Sequence, residues 1–350
     1  MTAHPVLFGI LCFGLGIALL FAALRSGRVG SRAIVSLAIA MIPRLAVPPP
    51  QAAELPPVAA RVRSKKRAHA LHMALPIALT CGALTASSAA LAAPHAPAWQ
   101  VYAIRYATIP AFPVRYLVAG ADTTRKLDIA MMFWLIQGAD GRRVLLDAGF
   151  YRQKFVDSWK PAGYMRPSDA LQRFGVTPDS VTDVIVSHVH WDHLDGADLF
   201  PNARIWIQRQ EYEHYVAADG TPAHAGIDTL DAAMLLGLMK AGRVELVEGD
   251  GKEILPGITA YTGGKHTFAS QYVTVRTAKG TVVLASDNLY LYENLDRHAA
   301  IAQTLDAASN LAAQDRMKKL ASSRRLIVPG HDPAVFQRFR AVQPGVARIE

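Results

Sequence analysis

From Ser187 to Gly196 the chain reads Ser-His-Val-His-Trp-Asp-His-Leu-Asp-Gly, which places three imidazoles and a carboxylate within six positions. Imidazole nitrogen and carboxylate oxygen are the donors that zinc, manganese, cobalt and iron accept where no thiolate is at hand. The run just before, Val184-Ile185-Val186, is apolar and reads as a buried strand. Residues two apart on an extended segment point the same way, so His188 and His190 can grip one ion. A turn into a helix then offers Asp192 and His193 to a second ion. The spacing is that of a two-metal layout.

Further donors must come from downstream, and three stand out. His266 lies in Gly263-Gly264-Lys265-His266-Thr267, Asp287 closes Val282-Val283-Leu284-Ala285-Ser286-Asp287, and His331 follows Leu326-Ile327-Val328-Pro329-Gly330. The last two sit where an apolar strand would end, at the carboxyl edge where sites on sheets gather.

The pattern HxHxDH followed by His, Asp and His in this order resembles the metallo-beta-lactamase superfamily. Within it, Asp287 followed three residues later by Tyr290 is most similar to the N-acyl homoserine lactonases. The resemblance covers residues 100 to 340, approximately, and implies a four-layer αββα sandwich. It also implies one metal on His188, His190 and His266, another on Asp192, His193 and His331, and Asp287 bridging them. The implied cofactors are two divalent metal ions, zinc foremost. The implied reaction is hydrolysis of a small-molecule lactone, an acyl homoserine lactone or similar, by attack of a metal-bridging hydroxide. Tyr290 would donate a hydrogen bond to the carbonyl or ring oxygen, and Asp192 would protonate the departing alkoxide. Asp147 matches the superfamily's first element and is expected to orient the ligand loop rather than to ligate.

One element departs from the family. Its third histidine usually stands in glycine-His-Thr followed by proline and glycine, whereas here Lys265 precedes His266 and Phe268-Ala269-Ser270 follows Thr267. No donor is lost, but the pocket wall changes. Lys265 is expected to face solvent or to steer an acidic substrate. Trp191, Phe268 and Tyr292 adjoin donors and are expected either to line an apolar pocket for an acyl chain or to pack in the core. Asp195 and Asp332 are expected to support donors rather than coordinate. His214, His224 and His298 fall outside the pattern.

Other hydrolases of the same scaffold compete: a thioesterase of the glyoxalase II type, a beta-lactamase-like enzyme, a sulfatase or a phosphodiesterase. A non-hydrolytic metal-binding protein is a further reading. The bridging carboxylate argues against a true beta-lactamase, and the complete hydrolytic donor set argues against a sensor or di-iron carrier.

The elements that must hold these residues read as a mixed α/β domain. Strands are expected at 101–106, 129–136, 143–147, 184–186, 204–208, 244–247, 258–261, 271–276, 281–285 and 326–328, with a hairpin turn at 138–141. Helices are expected at 168–174, capped by Ser168, and at 210–216, 231–240 and 299–320.

The chain has 350 residues and a formal net charge of +9. Nine of its 37 Lys and Arg but only one of its 28 acids fall in residues 1–92. The remaining domain is therefore near neutral, so nothing argues for a nucleic-acid surface. Both cysteines, Cys12 and Cys81, also lie in that leader, so the domain has no disulfide and no thiolate donor.

Residues 1–60 comprise an uncharged apolar stretch at 6–24, long enough to span a bilayer, and a Pro-rich linker. Residues 61–92 follow the grammar of a signal peptide: a basic run, an apolar run, then Ala90-Leu91-Ala92. Either translation starts near Val62 with a removable signal, or both apolar stretches span the membrane as a hairpin. The first is favoured, with cleavage after Ala92. Both put the 93–350 domain across the membrane, as an exported, periplasmic or secreted protein or one anchored by its N-terminal segment.

Overall fold

The computed structural model describes residues 99–350; the apolar stretch at 6–24, the linker and the signal-like segment at 61–92 lie outside the described residues. Among the described residues, no helix is long and apolar enough to cross a membrane.

The strands are β1 (Gln100–Pro113), β2 (Lys126–Gln137), β3 (Arg143–Leu146), β4 (Asp183–Ile185), β5 (Arg204–Gln208), β6 (Val244–Val247), β7 (Lys252–Leu255), β8 (Ile258–Thr262), β9 (Gln271–Thr277), β10 (Gly280–Leu284), β11 (Ile327–Val328), β12 (Arg340–Gln343) and β13 (Val346–Ile349). They form an eight-stranded sheet in the order β12-β13-β1-β2-β3-β4-β5-β6 and a five-stranded sheet in the order β11-β10-β9-β8-β7.

Strand β2 shows how the layers arise. Its residues alternate in direction, and both sets are apolar. Ala130, Met132, Trp134 and Ile136 pack between the two sheets against Ile258, Val273, Val282 and Val328. Met131, Phe133 and Leu135 pack on the opposite face with Leu171, Tyr212 and Leu235 from helices. A third cluster joins the far face of the small sheet, through Tyr272, Val283 and Ile327, to Ala313 and Met317 of the helix Ala307–Leu320. The result is the four-layer αββα sandwich that the resemblance implies.

Strand direction fixes where the site forms. β3 and β4 run parallel, with Leu146 beside Ile185, so the loops after them leave the sheet together. β10 and β11 are parallel as well, with Leu284 beside Val328. β8 runs antiparallel to β9, as β10 does, so the chain leaves β8 at the edge where it leaves β10. Five strand ends thus deliver Asp147, the 188–193 loop, His266, Asp287 and His331.

Several boundaries differ from expectation. The helix expected at 299–320 begins only at Ala307, because Asp306 caps it by accepting from Ser309 N at 3.1 Å. The residues before it have backbone carbonyls committed elsewhere, Ala300 O to Ala119 N and Gln303 O to His266 Nδ1. The helix Pro167–Arg173 starts on Pro167 at its first position, so Ser168 lies inside it and is not its cap. β7, β12 and β13 and the helices Gln153–Trp159 and Val335–Arg338 have no counterpart in the sequence reading. They are four to seven residues long, too short to show a period.

Candidate metal centre

The seven side chains singled out from sequence fall into two groups of converging donors, His188, His190, His266 and Asp287 in one and Asp192, His193 and His331 in the other. His188 Nε2 and His266 Nε2 lie 3.1 and 2.8 Å from His190 Nδ1. In the other group, His193 Nε2 lies 3.3 Å from Asp192 Oδ2, and His331 Nε2 lies 3.6 Å from it. Asp287 faces both: its Oδ2 is 3.7 Å from His188 Nε2 and 3.4 Å from His266 Nε2, and its Oδ1 is 3.3 Å from His193 Nε2 and 2.9 Å from His331 Nε2. Nitrogens bound at about 2.1 Å on a tetrahedral ion stand about 3.4 Å apart, so these spacings fit metal coordination.

Orphaned atoms support the fit. His193 Nε2 and Asp287 Oδ1 are buried with no hydrogen-bond partner among protein atoms. Leaving such atoms unmatched in a core is costly, and a cation between them removes the cost.

The surroundings aim each imidazole. His331 Nδ1 donates to Ala130 O at 3.0 Å and His266 Nδ1 to Gln303 O at 2.8 Å. His193 Nδ1 donates to Asp147 Oδ2 at 2.8 Å. A proton held on Nδ1 leaves the Nε2 lone pair facing inward. For His188 the same tautomer follows from a chain of hydroxyls. Ser286 Oγ donates to Asp147 Oδ2 at 2.7 Å, Ser187 Oγ is 2.9 Å from Ser286 Oγ, and His188 Nδ1 is 2.9 Å from Ser187 Oγ. With a carboxylate accepting at one end, each hydroxyl passes its hydrogen along and His188 becomes the donor at the other. Only His190 turns Nδ1 inward.

Asp147 therefore orients two donors without belonging to either group, as expected. Its Oδ1 also accepts Ser187 N at 2.8 Å. The positions behind the site are strained: Asp147, Lys265 and Ser286 take φ of 64°, 48° and 46°, the left-handed region that side chains avoid. Gly330 is required by close approach, since a Cβ there would stand 2.7 Å from Ser286 O and 2.9 Å from Asp287 Oδ1.

Burial, reinforced by neighbouring histidines, holds the His188 imidazolium well below the ordinary range and takes that of His190 down to about 3. Burial lowers His266 as well. These three are neutral lone-pair donors at neutral pH. In the other group burial is outweighed: Asp287 and Asp192 push His193 and His331 up, and the two histidines hold Asp287 well below the carboxylate range.

Tyr290 is buried, with its hydroxyl 3.3 Å from His266 Nδ1. Burial, then the Asp287 and Asp192 carboxylates, raise its phenol well above the ordinary value, so it is a proton-bearing donor. It lines a cavity of about 210 Å³ that reaches Asp192, Asp287 and His331 and has apolar walls including Ile109, Phe112, Met131, Trp159 and Trp191.

Of the three aromatics expected at the pocket or in the core, Trp191 lines the pocket, stacked on Trp159 with centroids 5.3 Å apart. Tyr292 belongs to the core between the sheets, with the Arg338 guanidinium 3.7 Å from its ring centre. Phe268 stacks at 4.0 Å on His214, which stacks in turn on His224. His298 pairs with Asp315. Lys265 neither extends freely into solvent nor points at the cavity; its Nζ donates to Phe268 O at 2.8 Å and closes its own loop. Asp195 accepts Tyr151 N and Arg152 N, and Asp332 accepts Tyr292 N and Ala334 N, so both brace loops. The sequence reading missed Ser187, Ser286 and Glu211. The serines adjoin donors, a usable signal, whereas Glu211 gives none.

The family model of the metallo-beta-lactamase superfamily matches residues 132–331, more than half of the chain. The chain belongs to this superfamily. Similar members include an N-acyl homoserine lactonase of a Bacillus species, 28% identical over 221 residues, with 59% of this chain and 82% of that protein covered. Another, from Bacillus cereus, is 33% identical over 165 residues, covering 46% of this chain and 60% of that protein. A crystal structure of a quorum-quenching N-acyl homoserine lactone lactonase has the same fold, with a TM-score of 0.58 at 23% identity over 69% of this chain and 96% of that one. Superfamily membership together with the donor set makes the chain a metal-dependent hydrolase.

Proposed function

We propose that this superfamily member hydrolyses a lactone, an N-acyl homoserine lactone or a close analogue, with two divalent ions, zinc foremost. His188, His190 and His266 would hold one ion, Asp192, His193 and His331 the other, and Asp287 would serve both. The observation that carries the reading is Asp287, which presents one oxygen to each donor group while Tyr290 faces the same cavity. The bacillary lactonases that this chain resembles support the substrate class.

When bound, the ions supply an acidified water and positive charge where the carbonyl oxygen turns negative. The chain's residues do the rest. Tyr290 donates its O–H to the carbonyl or ring oxygen. Asp192, 14% exposed and beside the cavity, takes a proton from the attacking water and passes it to the departing ring oxygen. Phe112, Met131, Trp159 and Trp191 cover an apolar acyl chain and exclude water from it. Water adds across the acyl C–O bond, its oxygen to the carbonyl carbon and a proton to the ring oxygen, giving a hydroxy acid.

Proton release during ring opening tests this with a panel of acyl homoserine lactones, simple lactones, thioesters and beta-lactams, alongside metal analysis. Lactone turnover by zinc-loaded protein is expected, and thioester turnover with lactones intact would overturn the assignment. We also propose that residues 61–92 direct export and that cleavage follows Ala92, which N-terminal sequencing of the native protein reads directly.

A further inference from the structure

Glu211 is fully buried on the short helix Arg209–Tyr215, which leaves β5 beside the donor loop, and the chemistry above does not use it. Its Oε1 accepts Thr267 Oγ1 at 2.5 Å and Val189 N at 3.2 Å, and its Oε2 accepts Ala269 N at 2.6 Å. Val189 lies between His188 and His190, and Thr267 follows His266 directly. The first segment leaves β4 of the large sheet and the second joins β8 to β9 of the small one. One carboxylate thus ties together, across the two sheets, the backbone between His188 and His190 and the segment just after His266, held through the Thr267 hydroxyl and the Ala269 N–H. None of its contacts reaches the Asp192, His193 and His331 group.

We infer that Glu211 is a positioning residue that sets the grip of His188, His190 and His266 on their cation by clamping the two segments that carry them. The inference rests on the metal-centre reading above. All three partners are donors, so the position demands an acceptor on both oxygens. A carboxylate meets this, whereas an amide would set its NH2 against an N–H or O–H. The sheets have other fasteners at this edge, Gln271 N to Ser187 O and Gln271 Nε2 to Val186 O, both at 2.8 Å. Loss of the clamp should therefore loosen the histidines without parting the layers. Supports of metal ligands typically change affinity by about 10- to 100-fold.

The test places Glu211→Gln in two backgrounds of the full chain, each retaining one donor group. His331→Ala keeps the His188, His190 and His266 group, and His266→Ala keeps the Asp192, His193 and His331 group. Zinc affinity is measured by competition with a chromophoric chelator, and circular dichroism checks the fold. In the first background Glu211→Gln is expected to weaken zinc about 10-fold or more. In the second it should change affinity by less than about 3-fold. Equal losses in both backgrounds, or no loss in the first, would overturn the clamp. Failure of both backgrounds to bind zinc with Glu211 intact would overturn the metal-centre reading itself. Thr267→Val, which removes a single donor, should give a smaller loss confined to the first background, so the test stands even where Glu211→Gln does not fold.

Discussion

The Asp147 carboxylate receives the His193 Nδ1 proton at 2.8 Å, and both side chains are shut off from solvent. Asp147 follows β3 directly while His193 lies in the first helical turn after β4, so parallel, in-register pairing of these strands brings the two side chains to the same edge. Asp147→Asn would put an amide where Ser187 N, Ser286 Oγ and His193 Nδ1 all need an acceptor. Zinc bound by the His193 group should weaken by about 10- to 100-fold. Unfolding should become easier by about 1–3 kcal/mol. Chelator competition and thermal melts check the two effects separately.

Asp287→Ala removes the carboxylate that faces both donor groups. Zinc per chain, read by elemental analysis, should fall below two. Turnover should drop by roughly 1,000-fold or more, since activated water and charge stabilisation fail together. Retention of both ions with near-normal turnover would remove Asp287 from the centre.

Tyr290→Phe deletes one hydroxyl from the cavity wall and leaves every donor in place. Both ions should remain, and kcat should fall about 10- to 100-fold, less than a full oxyanion donor supplies because charge stabilisation persists. An unchanged kcat would exclude the phenol from the reaction.

Trp159 is 38% exposed and stacks on Trp191 over the apolar end of the cavity. Trp159→Ala should therefore raise KM for long-chain substrates by about 10-fold, while leaving short-chain substrates and thermal stability nearly unchanged. Equal effects on all chain lengths would place the acyl chain elsewhere.

Stripping metal from the protein should lower its melting temperature. An ion present at 100 times its dissociation constant stabilises by about 2.7 kcal/mol. Two such ions correspond to roughly 10–20 °C in a domain of this size. Scanning calorimetry before and after chelation measures the difference, and coincident transitions would contradict a loaded centre.

The donors were legible in the sequence because their side-chain types are costly to bury without a reason, and because the 188–193 cluster, Asp287 and His331 each follow an apolar run that marks a strand end. Asp147 was legible in the same way. The supports of the donors were not. Gln303 and Ala130 act through backbone carbonyls, which any residue supplies. Glu211 reaches Thr267 and Ala269 from 56 and 58 residues away, a pairing that only the fold creates. Tyr292 illustrates a different limit. Adjacency to a donor along the chain says nothing about which side of a turn the ring takes, and this one turned into the core.

The donors are drawn from both sheets of the sandwich, two histidines, Asp192 and His193 from the loop after β4 and the rest from the ends of β8, β10 and β11. A fragment stopping before residue 260 would hold four of the seven and could complete neither set. Ion capture by the growing chain is thus deferred until its last third has been made and the layers have met, so metal uptake would serve as a readout of finished assembly.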